Sequence, residues 1–277
     1  MPELPEVETT RRGIEPHILG RRIIDVLVRD WRLRWPVPPQ LSECLVDACF
    51  QRARRRAKYL LLDSVPCHGG PQGAGTLMIH LGMSGSLRIV AQSEPPSFHD
   101  HIDIVLEDGR CLRYHDPRRF GSFHWLTSDQ HPLLDHLGPE PLEPGFSGDY
   151  LYARSRGRKT SVKQFLMDGR IVVGVGNIYA NEALFLAGVR PTRPAGRIAL
   201  ARYRCIAEQV QLLLAGAIEQ GGTTLRDFVG GDGKPGYFAQ RLRVYGRGGL
   251  PCRDCNGTLS EIRQNNRSTV FCKACQR

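Results

Sequence analysis

The chain contains no apolar run near the roughly 18 residues that a membrane-spanning helix requires, and its longest candidates, Tyr59–Leu62 and Ile171–Val175, are far too short. Its opening residues, Met1-Pro2-Glu3-Leu4-Pro5-Glu6, are acidic and carry no apolar signal core, so secretion is not expected. The signature of disorder is missing too: 41% hydrophobic and 24% charged residues over 277 positions are globular values. That length suits two compact domains or one large one. Acidic residues are absent from three stretches that are rich in cations. These hold Arg52, Arg54, Arg55, Arg56 and Lys58; then Arg154, Arg156, Arg158, Lys159 and Lys163; then Arg241, Arg243, Arg247 and Arg253. One such block usually marks a solvated face. Three of them, in a chain of net charge +10, point to a polyanionic partner, with DNA or RNA favoured.

Nine cysteines are present. Cys44, Cys49, Cys67, Cys111 and Cys205 are scattered singly and are expected as buried or unreactive thiols in a reducing compartment. Cys252-x2-Cys255 and Cys272-x2-Cys275 have the spacing of a four-thiolate zinc site, closed and structural. The alternatives at this point are two disulfides or four unrelated cysteines.

The first ~130 residues read as mostly β after one helix over Glu6–Ile18, which Gly20 ends. Ile23–Val28 is a strand, and Ile102–Leu106 pairs with Cys111–Tyr114 around Asp108-Gly109. Phe123–Leu126 is another strand, and 64–75 is a surface loop, so a sandwich or a barrel is expected. Pro139, Pro141, Pro144 and Gly145 mark a linker to a helical region. Ser161-x-x-Gln164 predicts a capping box, Asn177 a helix cap, and Tyr203, Ile206, Val210, Leu213 and Ala217 a helical stripe. Gly174-Val175-Gly176-Asn177 is a turn into a helix N-terminus, where a phosphate would be favoured. The glycines of 230–236 form a loop of the kind that covers active sites.

Removal of Met1 would expose Pro2 as a secondary amine with a pKa of about 8, partly nucleophilic at neutral pH. Attack on a sugar C1′ would give an iminium that must be cationic, an electron sink for later eliminations, with Glu3 beside it to move protons. Taken alone, a Met-Pro start carries little. Pro2–Thr9, however, resembles the N-terminus of the formamidopyrimidine-DNA glycosylases of bacteria. The likeness continues through Arg55–Leu60, His80–Gly85, His115–Gly121, Val173–Ala180, Asp232–Tyr237 and the four cysteines, nearly the whole chain.

The resemblance implies an α+β multidomain protein. An N-terminal β-sandwich with an N-terminal helix (1–135, catalytic) is followed by a linker (136–148). A helix-two-turn-helix domain (149–240) and a C-terminal β-hairpin zinc ribbon (241–277) complete it. It implies a bifunctional DNA glycosylase and abasic-site lyase that removes oxidised purines through a Schiff base at Pro2, with Glu3 as acid/base. Lys58 and Arg267 fall on the family's groups for the β- and δ-eliminations. Met83, Arg118 and Phe120 fall on its residues that fill the gap left by a flipped base. His99, Lys159, Asn177 and Lys163 fall on phosphate contacts. Without the resemblance, Lys58 reads as a surface lysine and Met83 and Phe120 as core. One Zn2+ on Cys252, Cys255, Cys272 and Cys275, duplex DNA as partner, a monomeric state and a bacterial cytoplasmic, nucleoid-associated location are expected. Leu4 and the Arg118-Arg119-Phe120 run favour the oxidised-purine enzyme over the endonuclease VIII type, which prefers oxidised pyrimidines. A non-catalytic zinc-ribbon DNA-binding protein is the remaining alternative. The segment between Lys58 and His80 is longer than the family pattern.

Overall fold

In a computed structural model of the chain, residues 2–67, 74–128, 130–221 and 242–277 are described; the 230–236 loop, the Asp232–Tyr237 motif and Arg241 lie outside them. A first compact unit holds the residues through Asp135, and a second contains His136–Gln220 and 242–277.

The first unit is a sandwich of two four-stranded antiparallel sheets. Its elements are α1 (Leu4–Ile18), β1 (Ile23–Val28), α2 (Leu41–Leu45), β2 (Ala48–Arg56), β3 (Tyr59–Pro66), β4 (Gly75–His80), β5 (Ser86–Ala91), β6 (Asp100–Leu106), β7 (Arg110–His115) and β8 (Ser122–Leu126). One sheet runs β1-β6-β7-β5 and the other β2-β3-β4-β8. Between them Ile23, Ile104 and Leu112 meet Phe50, Leu62 and Ile79, while Val7, Ile14 and Ile18 of α1 complete the same core. Each fully buried aliphatic or aromatic side chain contributes ~1.5–3 kcal/mol, so the alternation of apolar positions decides the layering. The β6–β7 hairpin turns at Gly109, with φ +81°. Three expectations shift. The helix starts at Leu4, two residues earlier than Glu6, because Pro5 fits the first turn of a helix. Ser64–Pro66 belong to β3, paired to Ala48–Phe50, and are not loop. That ladder brings Cys49 and Cys67 to 5.6 Å between Cα atoms, where they form a disulfide rather than two separate thiols.

The second unit contains α3 (Gly148–Ser155), α4 (Val162–Leu166), α5 (Asn177–Leu186), α6 (Leu200–Glu219) and the hairpin β9 (Ser260–Gln264) with β10 (Arg267–Phe271). The helix α3, which patterning did not reveal, lies against α6 so closely that a Cβ on Gly148 would fall 2.3 Å from Cα of Arg204. The α6 stripe is Tyr203, Ile206, Ala207, Val210, Leu214 and Ala217; Leu214 is buried in place of the expected Leu213, which keeps the i, i+4 step from Val210. At α4, Ser161 Oγ accepts from the Gln164 N–H at 3.3 Å. The Gln164 side chain, however, accepts from the Thr160 hydroxyl instead of closing the box. At α5 the cap is Gly176, and Asn177 is the first helical residue rather than the cap itself.

Candidate active site and zinc ribbon

Strand register gathers the predicted residues of the first unit. Tyr59 pairs with His80, and His80 with Ser122. Three chain segments therefore leave the same end of one sheet: the Ala57-Lys58 turn, the His80–Met83 segment and the 116–121 loop. Lys58 is half-buried, and Ala57 before it takes φ +55°. The helix α1, which Pro2 and Glu3 directly precede, is tied to the strand that enters this turn. Glu8 of α1 pairs with Arg55 at 3.3 Å, and Arg11 donates to the Ala53 carbonyl at 3.2 Å. Pro2 and Glu3 are buried, and Glu6 Oε2 accepts the Glu3 backbone N–H at 2.8 Å, satisfying a donor that a helix start leaves open.

Two loops are locked together beside them. Gly82 has φ +67°, and a Cβ there would lie 2.4 Å from the Phe120 carbonyl carbon. Gly121 abuts Tyr114 so tightly that any Cβ would overlap its hydroxyl. The organiser is Asp116, fully buried. Its Oδ1 accepts from Ser84 Oγ at 2.7 Å and from the Arg118 N–H at 3.3 Å, and its Oδ2 from Tyr114 OH and the Gly121 N–H, both at 2.9 Å. Burial, then the neighbouring carboxylate, push the Tyr114 hydroxyl well above its ordinary range, so it stays a donor. Held this way, Met83 and Phe120 stand 37% and 42% exposed, which removes the core reading of both. Arg118 lies over the Phe120 ring, 4.8 Å from its centroid.

His80, which the motif contains but sequence reasoning did not single out, packs its ring at a 54° tilt against that of Tyr59, with centroids 4.9 Å apart. Its Nδ1 accepts the Gly82 N–H at 3.0 Å, which leaves Nε2 as the protonated, donating nitrogen. Burial, then the charges of Lys58 and Arg34 and the nearby His124, push its pKa down to about 4. His99 is half-buried in a concavity of mixed charge that Arg29, Arg32 and Arg119 line together with Asp30 and Asp100, and its ring meets that of His115 at 5.8 Å.

In the second unit the four Sγ atoms of Cys252, Cys255, Cys272 and Cys275 lie within 4.8 Å of one another. Zn–S bonds of about 2.3 Å give a tetrahedron with edges of about 3.8 Å. The Cys252–Cys275 and Cys255–Cys272 separations of 4.0 and 3.4 Å bracket that edge, so the donor set fits one structural Zn2+. Asn265 and Asn266, with φ of 47° and 58°, form the two-residue turn between β9 and β10, and exposed Arg267 follows it directly. Glu182 of α5, 1% exposed, accepts the N–H groups of Arg243, Val244 and Tyr245 at 2.7–2.8 Å.

Three family profiles cover the chain in order: the Formamidopyrimidine-DNA glycosylase N-terminal domain over 1–123, its H2TH domain over 137–229, and the zinc finger found in FPG and IleRS over 249–277. The chain is 59% identical to the formamidopyrimidine-DNA glycosylase of Stutzerimonas stutzeri and 58% to that of Methylococcus capsulatus, each over the full length of both chains. The chain belongs to the formamidopyrimidine-DNA glycosylase family. Solved structures agree. The Thermus thermophilus MutM (Fpg) protein matches at 38% identity and TM-score 0.85, covering 99% of this chain and 98% of its own. A Lactococcus lactis Fpg mutant in complex with a Fapy-dG containing DNA matches at 31% and 0.90, with both chains fully covered.

Set against the family pattern, Pro2, Glu3, Lys58, Met83, His99, Arg118 and Phe120 all lie in the first unit, and Lys159, Asn177, Arg267 and the zinc ligands in the second. Lys159 is exposed and Asn177 half-buried at the start of α5. Lys163 is only 1% exposed, and its ammonium donates to the Ser268 carbonyl and to Thr269 Oγ1 at 2.7 and 2.6 Å, holding the ribbon strand. The basic stretches are partly neutralised: Arg54 forms a bidentate pair with Asp63, and Arg243 pairs with Asp254.

Asp116→Asn replaces two acceptor oxygens by one and should destabilise the protein by about 2–4 kcal/mol, read as a lowered urea midpoint at unchanged slope. A histidine depressed from 6.5 to about 4 contributes stability that is present above the ordinary value and lost as the pH falls through that window. The His80 ring resonances should therefore not titrate between pH 6 and 8, and a His80→Gln variant should lose less stability than the unaltered protein between pH 6.5 and 4.

Proposed function

We propose that the chain is a bifunctional DNA glycosylase and abasic-site lyase of base excision repair that releases oxidised purines, 8-oxoguanine and formamidopyrimidines, from duplex DNA. The observation that carries this reading is the pair of locked loops. An apolar wedge of Met83 and Phe120, with Arg118 beside it, stands in solvent at the sheet end that bears Lys58. Exposed apolar groups on a rigid support cost stability and serve a protein that must fill a gap in stacked bases. Binding of a basic chain to DNA supplies the remaining energy through phosphate contacts at His99, Lys159 and Asn177.

In this reading Met1 is removed, and the Pro2 nitrogen attacks C1′ of the damaged nucleotide. The base departs with its bonding electrons and takes up a proton, and the attacking nitrogen loses its own. The C1′–O4′ bond then breaks as Glu3 delivers a proton to O4′, leaving a cationic iminium between Pro2 and C1′. The positive end of the α1 dipole disfavours a protonated Pro2 amine, which keeps a nucleophilic fraction at neutral pH. The cationic iminium then acidifies C2′, and loss of that proton expels the 3′ phosphate, with Lys58 as proton donor. Loss of the C4′ proton from the conjugated iminium, assisted by Arg267, then expels the 5′ phosphate in a second elimination, and water adds at C1′ to release the sugar fragment from Pro2. The zinc ion takes no part in these steps; its thiolates cross-link the ribbon that presents Arg267. Residues 1–135 form the catalytic domain, joined by the 136–148 linker to the helix-two-turn-helix domain (149–240) and the ribbon (241–277). The protein acts as a monomer in the bacterial cytoplasm, on the nucleoid. No helix of the described residues is long and apolar enough to cross a membrane.

Borohydride reduction on duplex DNA with 8-oxoguanine should trap a covalent adduct whose mass maps to Pro2 in a chain lacking Met1. Pro2→Gly should reduce the adduct at least tenfold, since each tenfold loss is 1.4 kcal/mol of transition-state stabilisation. No adduct would favour the non-catalytic reading, and faster release of thymine glycol than of 8-oxoguanine would favour the oxidised-pyrimidine reading. Stripping zinc at neutral pH should weaken DNA binding and suppress the second elimination; unchanged affinity would count against the ribbon's role.

A further inference from the structure

A two-stranded hairpin is marginal in water, because nothing covers its outer edges. In β10 one edge is taken by side chains from the helices. The Ser268 carbonyl accepts from Lys163 of α4, and the Val270 N–H donates to Asn181 Oδ1 at 2.9 Å. Residues 268 and 270 are two apart and so present their backbone groups on the same side of the strand. Asn181 is 1% exposed, and its Nδ2 donates to the Asn177 carbonyl one turn back at 2.6 Å. The Asn177 Oδ1 lies 3.5 Å from the same nitrogen. One buried amide therefore touches both the strand that begins with Arg267 and the residue at the start of α5. At about 3.3 Å per residue, roughly 10 Å of strand separates the Val270 anchor from Arg267.

We propose that Asn181 is a positioning residue for the second elimination. By filling the open edge of β10 it fixes where that strand starts, and so where the Arg267 guanidinium stands. Loss of the amide leaves the Val270 N–H without this acceptor and lets the Arg267 end of the hairpin shift, while Pro2, Glu3 and Lys58 belong to the other unit and keep their surroundings. The inference rests on the reading of Arg267 as the group that assists the second elimination. It deepens that reading by separating the two cleavage steps through a residue that is itself only 1% exposed.

The test uses the full zinc-loaded chain on a duplex with a preformed abasic site, so that base release does not enter. The ratio of doubly cleaved (β,δ) to singly cleaved (β) product is read beside the borohydride-trapped yield and the zinc content. Asn181→Leu should lower the ratio about tenfold, since a misplacement of about 1 Å in a positioned group costs up to 100-fold. The trapped yield should change less than about twofold, and zinc should stay at one per chain. Asn181→Asp, which keeps the acceptor for Val270, should restore most of the ratio. An unchanged ratio in the Asn181→Leu protein, or ratio and trapped yield falling in parallel, would overturn the proposal. If Asn181→Leu does not retain zinc, Asn181→Ala, which removes the same hydrogen bonds without added bulk, must show the same split or the proposal falls. An unaltered protein that traps at Pro2 but gives no β,δ product would instead reject the role of Arg267, and the proposal with it.

Discussion

The structure of the candidate active site depends on one buried carboxylate. Asp116 receives four hydrogen bonds, from Tyr114 of β7 and from Ser84, Arg118 and Gly121 in the two loops that carry exposed Met83 and Phe120. A buried ionised group without partners is costly, so this carboxylate is tolerable only with every donor in place. The cost acts in reverse as a constraint: any movement of either loop strips a donor from the charge. Gly82 and Gly121 supply the close approach that the arrangement demands. Exposed Met83, Arg118 and Phe120 inherit their rigidity from groups that never reach solvent.

The second unit repeats the principle with different chemistry. Zinc thiolates close the ribbon, and the Glu182 carboxylate gathers the N–H groups of 243–245. Lys163 and Asn181 then occupy the strand edge next to Arg267. Charged residues divide into two populations as a result. Arg113, 1% exposed and bonded through Nε and Nη2 to Asp103, serves the fold. Lys159 and Arg267 serve the surface.

That division marks the boundary of what the sequence makes legible. Alternation and turn chemistry disclose the strands around Asp108-Gly109, and cysteine spacing discloses the ribbon; Pro2 and the trio Met83, Arg118 and Phe120 draw attention only through the family resemblance. Lys163 sits in an acid-free basic stretch and resembles a phosphate contact, yet it is buried, because its partners, Ser268 and Thr269, lie more than a hundred positions later. The Cys49–Cys67 bond was hidden for a similar reason: only the β2–β3 register brings the two together. Leu213 and Leu214 are chemically alike, and only the facing helix decides which one is buried.

By itself, then, the sequence determined whatever local periodicity and short spacing encode: the starting helix behind Pro2, the β6–β7 hairpin and the four zinc ligands. The tertiary structure alone decided which polar groups are consumed internally and which remain for a ligand. Burial and hydrogen bonding depend on partners remote in the chain, and no pattern within ten or twenty residues records who those partners are.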